Sequence, residues 1–171
     1  MAVRPRFRAA AAAALLALAA AFAAGAAAGD EPKTLSGTWN ASSMSESWSV
    51  RSWGDACGPK PAPHGAPGGT VQVTQTGSEL RMSGAGRGFT TGECWEQMPG
   101  LSRTGHTGGA RGWRTTCATP ANDARQAQIV TTISATDSTI VIQEVGQYQF
   151  VIHDTTCQAS VTRVRSMTLA Q

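Results

Sequence analysis

Charge is scarce in this chain, and lysine is scarcer still. Charged residues make up 15% of the 171 positions, and Lys33 and Lys60 are the only lysines. The formal charge of +3 resides in Arg4, Arg6 and Arg8, and from residue 29 onward basic and acidic side chains balance. A neutral body lacks the basic stripe that grips nucleic acid and the cationic patch that holds an anionic membrane, so neither is expected as a partner. Close cysteine pairs are missing too. Cys57, Cys94, Cys117 and Cys157 are far apart, which speaks against a C-x-x-C metal or redox motif. No stretch carries a sustained apolar 3.6-residue period with caps, so helices are not expected.

Catalytic signatures are equally sparse. The chain has no G-x-S-x-G elbow, no H-E-x-x-H, no glycine-rich phosphate loop followed by lysine and no D-x-D-x-D-G calcium loop. His64 and His106 fall in segments rich in glycine, which give a catalytic base no rigid support. His153 and Asp154 are adjacent, and on a strand adjacent side chains point to opposite faces. Glu93 and Glu96 flank Cys94-Trp95, where nothing suggests the groove that would raise one carboxyl's pKa, so they read as solvated rim charges. No catalytic residue, metal or cofactor is expected.

What is present begins with a leader. Arg4, Arg6 and Arg8 precede a long alanine-rich run that ends in Ala26-Ala27-Ala28 before Gly29. That is the charged, apolar, A-x-A order of a signal peptide over residues 1–28, followed by a single domain over 29–171 with no stable membrane anchor after cleavage. An exported bacterial chain, secreted or periplasmic, meets an oxidising compartment, where four cysteines are expected to form two disulfides.

Strand signals dominate the rest. TVQVTQT (70–76), IVTTI (129–133), IVIQEV (140–145) and YQFVI (148–152) are β-branched or alternating. TGSE (76–79), ATDS (135–138) and VGQ (145–147) read as tight turns, which gives an antiparallel all-β meander. Residues 58–69 (GPKPAPHGAPGG) and 100–112 (GLSRTGHTGGARG) read as loops outside the sheet. CQASVTRVRSMTL (157–169) reads as one long last strand, with Ala159, Val161, Arg163, Arg165, Met167 and Leu169 on one face. A closed or partly closed β-barrel is expected, with a two-layer sandwich as the alternative.

A weak internal repeat sets one expectation about the disulfides. Trp53 stands four residues before Cys57 and Trp113 four before Cys117, and each unit then runs through three strand-like segments to Cys94 or Cys157. Matched spans favour Cys57 with Cys94 and Cys117 with Cys157, among three possible connectivities.

Gly37-Thr38-Trp39 on the presumed first strand, with Arg163 or Arg165 late on the last, resembles the signature of lipocalin-like and avidin-like barrels. The resemblance implies that an arginine packs across the Trp39 ring and closes the barrel, an arrangement that cation-π attraction would favour. Separately, WSVRSWGDACGPKP, ECWEQ, ISATDSTIVI and GQYQFVI together resemble an uncharacterised family of secreted domains from GC-rich bacteria. Among the five tryptophans, Trp95 at a loop entrance is the favoured contact with a partner or ligand, since exposed aromatics at loop rims act as anchors. Trp48 and Trp113 are further candidates, although packing on a disulfide is the ordinary use for Trp53 and Trp113. The favoured function is therefore a non-enzymatic binding or interaction module for an unknown macromolecule. A lipocalin-like carrier of a small apolar ligand comes second, and a hydrolase of cell-surface polymer third.

Overall fold

The computed structural model describes residues 33–85, 88–94 and 100–171; the leader and Trp95 lie outside them. Over the described residues the fold is all-β, an antiparallel sheet curled into a half-barrel. Its strands are β1 (Gly37–Ala41), β2 (Ser45–Ser52), β3 (Gly69–Thr76), β4 (Glu79–Gly84), β5 (Phe89–Thr90), β6 (Ser102–Gly108), β7 (Gly112–Ala118), β8 (Arg125–Ala135), β9 (Thr139–Ile152) and β10 (Thr155–Leu169). A short 3₁₀ turn, Asp55–Cys57, follows β2. Among the described residues no helix is long and apolar enough to cross a membrane.

Strand order runs β5-β4-β3-β1-β10-β9-β8-β7-β6, with β2 also on β10. β10 is the hub. One of its edges pairs with β9 from Thr155 to Thr168, while the other is shared by β1 at Met167 to Leu169 and by β2 at Gln158 to Val164. β1 and β2 therefore form a nearly continuous partner for β10. They are interrupted at residues 42–44, where Ser42 donates its amide to Ser166 O and accepts from Ser166 N through its hydroxyl. Beyond that kink β3 continues beside β1 only, and the outer edge of β2 meets the 58–68 loop through a Met44–Ala66 bridge.

Period-two alternation sorts the side chains. On β9, Ile140, Ile142, Glu144, Gly146, Tyr148 and Phe150 are buried, and on β10 so are Cys157, Ala159, Val161, Arg163, Arg165 and Met167. Two apolar clusters result. One gathers Leu35, Trp39, Val71, Val73, Leu80, Met82, Trp113, Ile133, Ile140, Ile142 and Met167; the other gathers Ala127, Tyr148, Phe150, Cys157 and Val161. Leu169, which shares the period, is 44% exposed because the sheet ends there.

Three sequence expectations are corrected. The disulfides are Cys57–Cys157 and Cys94–Cys117, nested across the two repeat units rather than closing each. Strand order explains this: β2 lies on the first half of β10, which brings the turn after β2 to Cys157, whereas the segment after β5 reaches across the curl to β7. VGQ is not a turn, because β9 runs through it. Gly146 is needed for close approach: a Cβ there would lie 2.8 Å from Val161 Cγ1 and 3.3 Å from the Tyr148 ring. Residues 102–108 are not loop but the edge strand β6, paired with β7. Trp48 and Trp53 stand five residues apart, an odd step that a continuous strand would turn to opposite faces. The strand stops at Ser52, and both rings pack against the second cluster.

The hairpins follow turn chemistry. Gly77 has φ +59 in the two-residue β3–β4 link. His153 and Asp154, at φ +46 and +61, are the central pair of the β9–β10 turn, where two left-handed residues match the twist of the strands. The outer strands are not closed by a backbone ladder among the described residues. Instead Trp113 donates its indole N–H to Ser78 O, Gly92 N donates to Thr115 Oγ1 at 3.2 Å, Arg103 Nη1 donates to Gly92 O at 3.0 Å, and Cys94–Cys117 fixes the seam covalently.

In the chain-entropy model a crosslink stabilises more as the loop it closes lengthens. The bridges span 100 and 23 residues. Replacing both Cys57 and Cys157 by Ser is therefore expected to cost about 4 to 5 kcal/mol, and replacing both Cys94 and Cys117 about 3. Urea unfolding of the two double variants checks the order, and a non-reducing peptide map checks the connectivity.

Candidate functional site

Arg163 lies on β10 between two strands and directly opposite a carboxylate on each. Its register partners are Glu46 on β2 and Glu144 on β9. Nε donates to Glu46 Oε2 at 2.9 Å, and Nη1 donates to Glu144 Oε1. Both carboxylate side chains are 3% exposed. The row continues through register pairs, Glu144 to Thr131 on β8, Thr131 to Thr115 on β7 and Thr115 to His106 on β6. It ends where His106 Nδ1 lies 3.1 Å from Thr115 Oγ1. A polar band thus crosses six strands on the inward face. Cross-strand neighbours on one face stand close enough to interact directly, so the band follows from register alone.

The β2 end of the band is capped by aromatic rings. Trp48 donates its indole N–H to Glu46 Oε1, which also accepts from His64 N at 3.4 Å. The Arg163 guanidinium sits 5.7 Å from the Trp48 ring centroid, and Trp48 packs at 5.5 Å on Tyr148. Burial by itself would raise the Glu46 carboxyl. The hydrogen bonds from Arg163 and Trp48, the Arg163 charge and the His64 amide together outweigh burial and hold its pKa below the ordinary value of 4.5.

The residues singled out in the sequence are dispersed. Trp39 is fully buried in the first cluster, with its indole N–H donating to Leu35 O at 2.9 Å and its backbone paired opposite Leu169. First and last strands are thus joined by a backbone ladder. The arginine that faces a tryptophan is Arg163, over Trp48 rather than Trp39. Arg165 Nη2 donates to Pro67 O at 3.0 Å, which ties down the 58–68 loop. Trp113, 3% exposed, is core and is not available to a partner. Trp48 is half-buried. Trp53 meets Phe150 edge-on at 5.6 Å beside the Cys57–Cys157 bridge. Among the described residues no three His, Cys, Asp or Glu side chains gather as a metal site.

The outward face of the same strands carries a second polar array. A trough of about 490 Å³ is lined by Ser49, Arg51, Gln126, Gln128, Gln147, Gln149, Gln158 and Ser160, with Ala127, Tyr148 and Ala159 completing its floor. Register builds it in two rows. Gln128, Gln147, Ser160 and Ser49 are successive cross-strand partners on β8, β9, β10 and β2; Gln126, Gln149 and Gln158 are successive partners on the first three. Gln126 bonds Pro120 O and Asp123 O. Among the described residues, the side chains of Gln128, Gln147, Gln149, Gln158, Ser49, Ser160 and Arg51 make no hydrogen bond to the rest of the protein.

Sequence reasoning missed both arrays, although signals for each are present. Glu144 interrupts an otherwise apolar inward period, Ile140, Ile142, Glu144. The tandems Gln126-Ala127-Gln128 and Gln147-Tyr148-Gln149 place two amides each on the outward face of a strand.

Compared with models of protein families, with curated proteins and with solved structures, the chain matches none.

Two consequences of the inward band are measurable. Removing one member of a buried charge cluster leaves the others desolvated without their partner, at about 3 to 5 kcal/mol. Arg163→Ala is expected to fall in that range by denaturant unfolding, and Arg81→Ala, in an exposed pair with Glu79, within about 1 kcal/mol of the parent. Because the folded pKa of Glu46 is depressed, its contribution is present above the unfolded carboxylate range and is lost as pH falls through the folded value. The melting temperature should drop in acid below about pH 4.5, and Glu46→Gln should flatten that part of the profile.

Proposed function

We propose that the chain is a secreted or periplasmic, non-enzymatic binding module whose contact surface is the outward trough on β8, β9, β10 and β2. The observation that carries this reading is the set of four glutamine amides and two serine hydroxyls concentrated in one concavity without partners among the described residues. Free surface amides are ordinary one at a time. Aligned in cross-strand rows on a rigid sheet, they form a pre-organised array of donors and acceptors, whose ordering costs little on binding. Two disulfides agree with an oxidising compartment outside the cytoplasm.

Catalysis draws no comparable support. Glu46 and Glu144, the carboxylates held most rigidly, are committed to Arg163 and buried. Carriage of an apolar ligand is supported less as well, because the inward face is crossed by a charged band that would line such a cavity poorly.

Side-chain amide resonances of isotopically labelled protein test the reading. On titration with a mixed panel of peptides and oligosaccharides, shifts are expected at Gln128, Gln147, Gln149 and Gln158, with the added molecules recovered intact by mass spectrometry. Cleavage of a panel member, or shifts centred on Thr115, Thr131 and Trp48, would overturn it.

A further inference from the structure

Resting on the reading of the trough as the contact surface, we infer that its ligand class is a neutral, polyhydroxylated glycan chain. The chemistry of the lining decides this. A primary amide presents two N–H donors and a carbonyl acceptor side by side, and a sugar ring presents vicinal hydroxyls that each donate and accept. Gln128, Gln147, Gln149 and Gln158, with Ser49 and Ser160, repeat that dual character through most of the trough.

Other ligand classes fit less well. A polyanion would be met by a cluster of cations, since phosphate neutralisation supplies most of its affinity, but Arg51 is the only charged residue in the lining. A cationic ligand would find no carboxylate there. An apolar ligand or a proline-rich peptide would be met by exposed aromatic or aliphatic side chains. The apolar lining residues are Ala127, Tyr148 and Ala159, all of them buried. An extended peptide gains its affinity from main-chain hydrogen bonds at an open sheet edge, and the trough lies on a face.

Dimensions agree with a short chain. Adjacent strands are about 4.8 Å apart, so the row from Gln128 to Ser49 spans roughly 14 Å, and the second row runs about 7 Å from it. A linear oligosaccharide lying across the strands would meet an amide or hydroxyl from each row along its length. Sheet rigidity fixes the spacing, and the residues that set the register face the other way.

Direct binding to an immobilised array of neutral and acidic oligosaccharides tests the inference, using the intact oxidised protein and the double variant Gln147→Ala/Gln149→Ala. These side chains are exposed, so the variant is expected to fold, and an unchanged melting temperature establishes that it does. At least one neutral glycan should bind the parent, with little dependence on ionic strength. The double variant should weaken it about tenfold, as expected for the loss of two modest hydrogen bonds. Thr132→Ala, on β8 outside the trough, should leave it unchanged. Binding only to acidic glycans, lost with salt and with Arg51→Ala, would overturn the neutral class, as would neutral binding indifferent to the double variant. A library of displayed extended peptides separates the two levels. A peptide that binds the parent and not the double variant, with no glycan bound, would overturn the glycan class and leave the trough standing. No binding in either format would overturn both.

Discussion

Arg163 between Glu46 and Glu144 is the interaction on which the half-barrel turns. A lone buried guanidinium would be intolerably costly, and so would either carboxylate. Each is acceptable inside only because three strands put them opposite one another, β2 and β9 flanking β10. The requirement runs both ways. Pairing β10 with β2 in another register would bury the charges without partners, which makes the triad a device for choosing one alignment among the many that β-branched strands of similar pattern allow.

The disulfides and the 58–68 loop serve the same arrangement from its margins. Among the described residues β2 has β10 as its only strand partner, and a strand held on one side is the easiest to lose. Cys57–Cys157 anchors the turn that follows it, Trp53 packs that turn onto Phe150, and Arg165 holds the loop through the carbonyls of Ala66 and Pro67. At the opposite margin Cys94–Cys117 joins the segment after β5 to β7, two elements with no ladder between them among the described residues, so the curl is fixed without full closure. Each crosslink ties a residue outside the strands, Cys57 or Cys94, to a cysteine held within the ladder, Cys157 or Cys117.

Much of the fold was legible in the sequence wherever a local period carries the information. The antiparallel all-β class, the β3–β4 and β8–β9 turns and the long last strand with its inward arginines follow from alternation and turn residues. Information about which strands neighbour one another was not legible, because a period of two is the same for every partner. That is why the repeat-based pairing of cysteines failed and why Arg163 meets Trp48 instead of Trp39. Glycine misled twice for a related reason. Gly146 gives the same local signal whether it turns the chain or admits Val161, and the glycines of residues 102–108 suppress strand propensity that edge pairing with β7 restores. Glu46 and the outward glutamines carried weak signals, an acid or an amide at the right phase, that acquire meaning only once register is known.

Register also couples the two faces. Moving three residues along each strand from the inward band leads from Glu46 to Ser49, from Arg163 to Ser160, from Glu144 to Gln147 and from Thr131 to Gln128, and these four are themselves cross-strand partners. An odd step reverses the face, so the row that lines the trough is the image of the charged row displaced along the same four strands. A slip of one residue on β2, β9 or β10 would bury an amide or hydroxyl and expose a charge, and it would break both rows together. The ion triad therefore specifies where the outward amides stand, although it touches none of them. A surface whose use depends on the spacing of several small polar groups needs that kind of support, since exposed glutamines contribute little to holding their own strands in place. The buried charge cluster, costly as a source of stability alone, is accounted for by the alignment it imposes on the face that meets solvent.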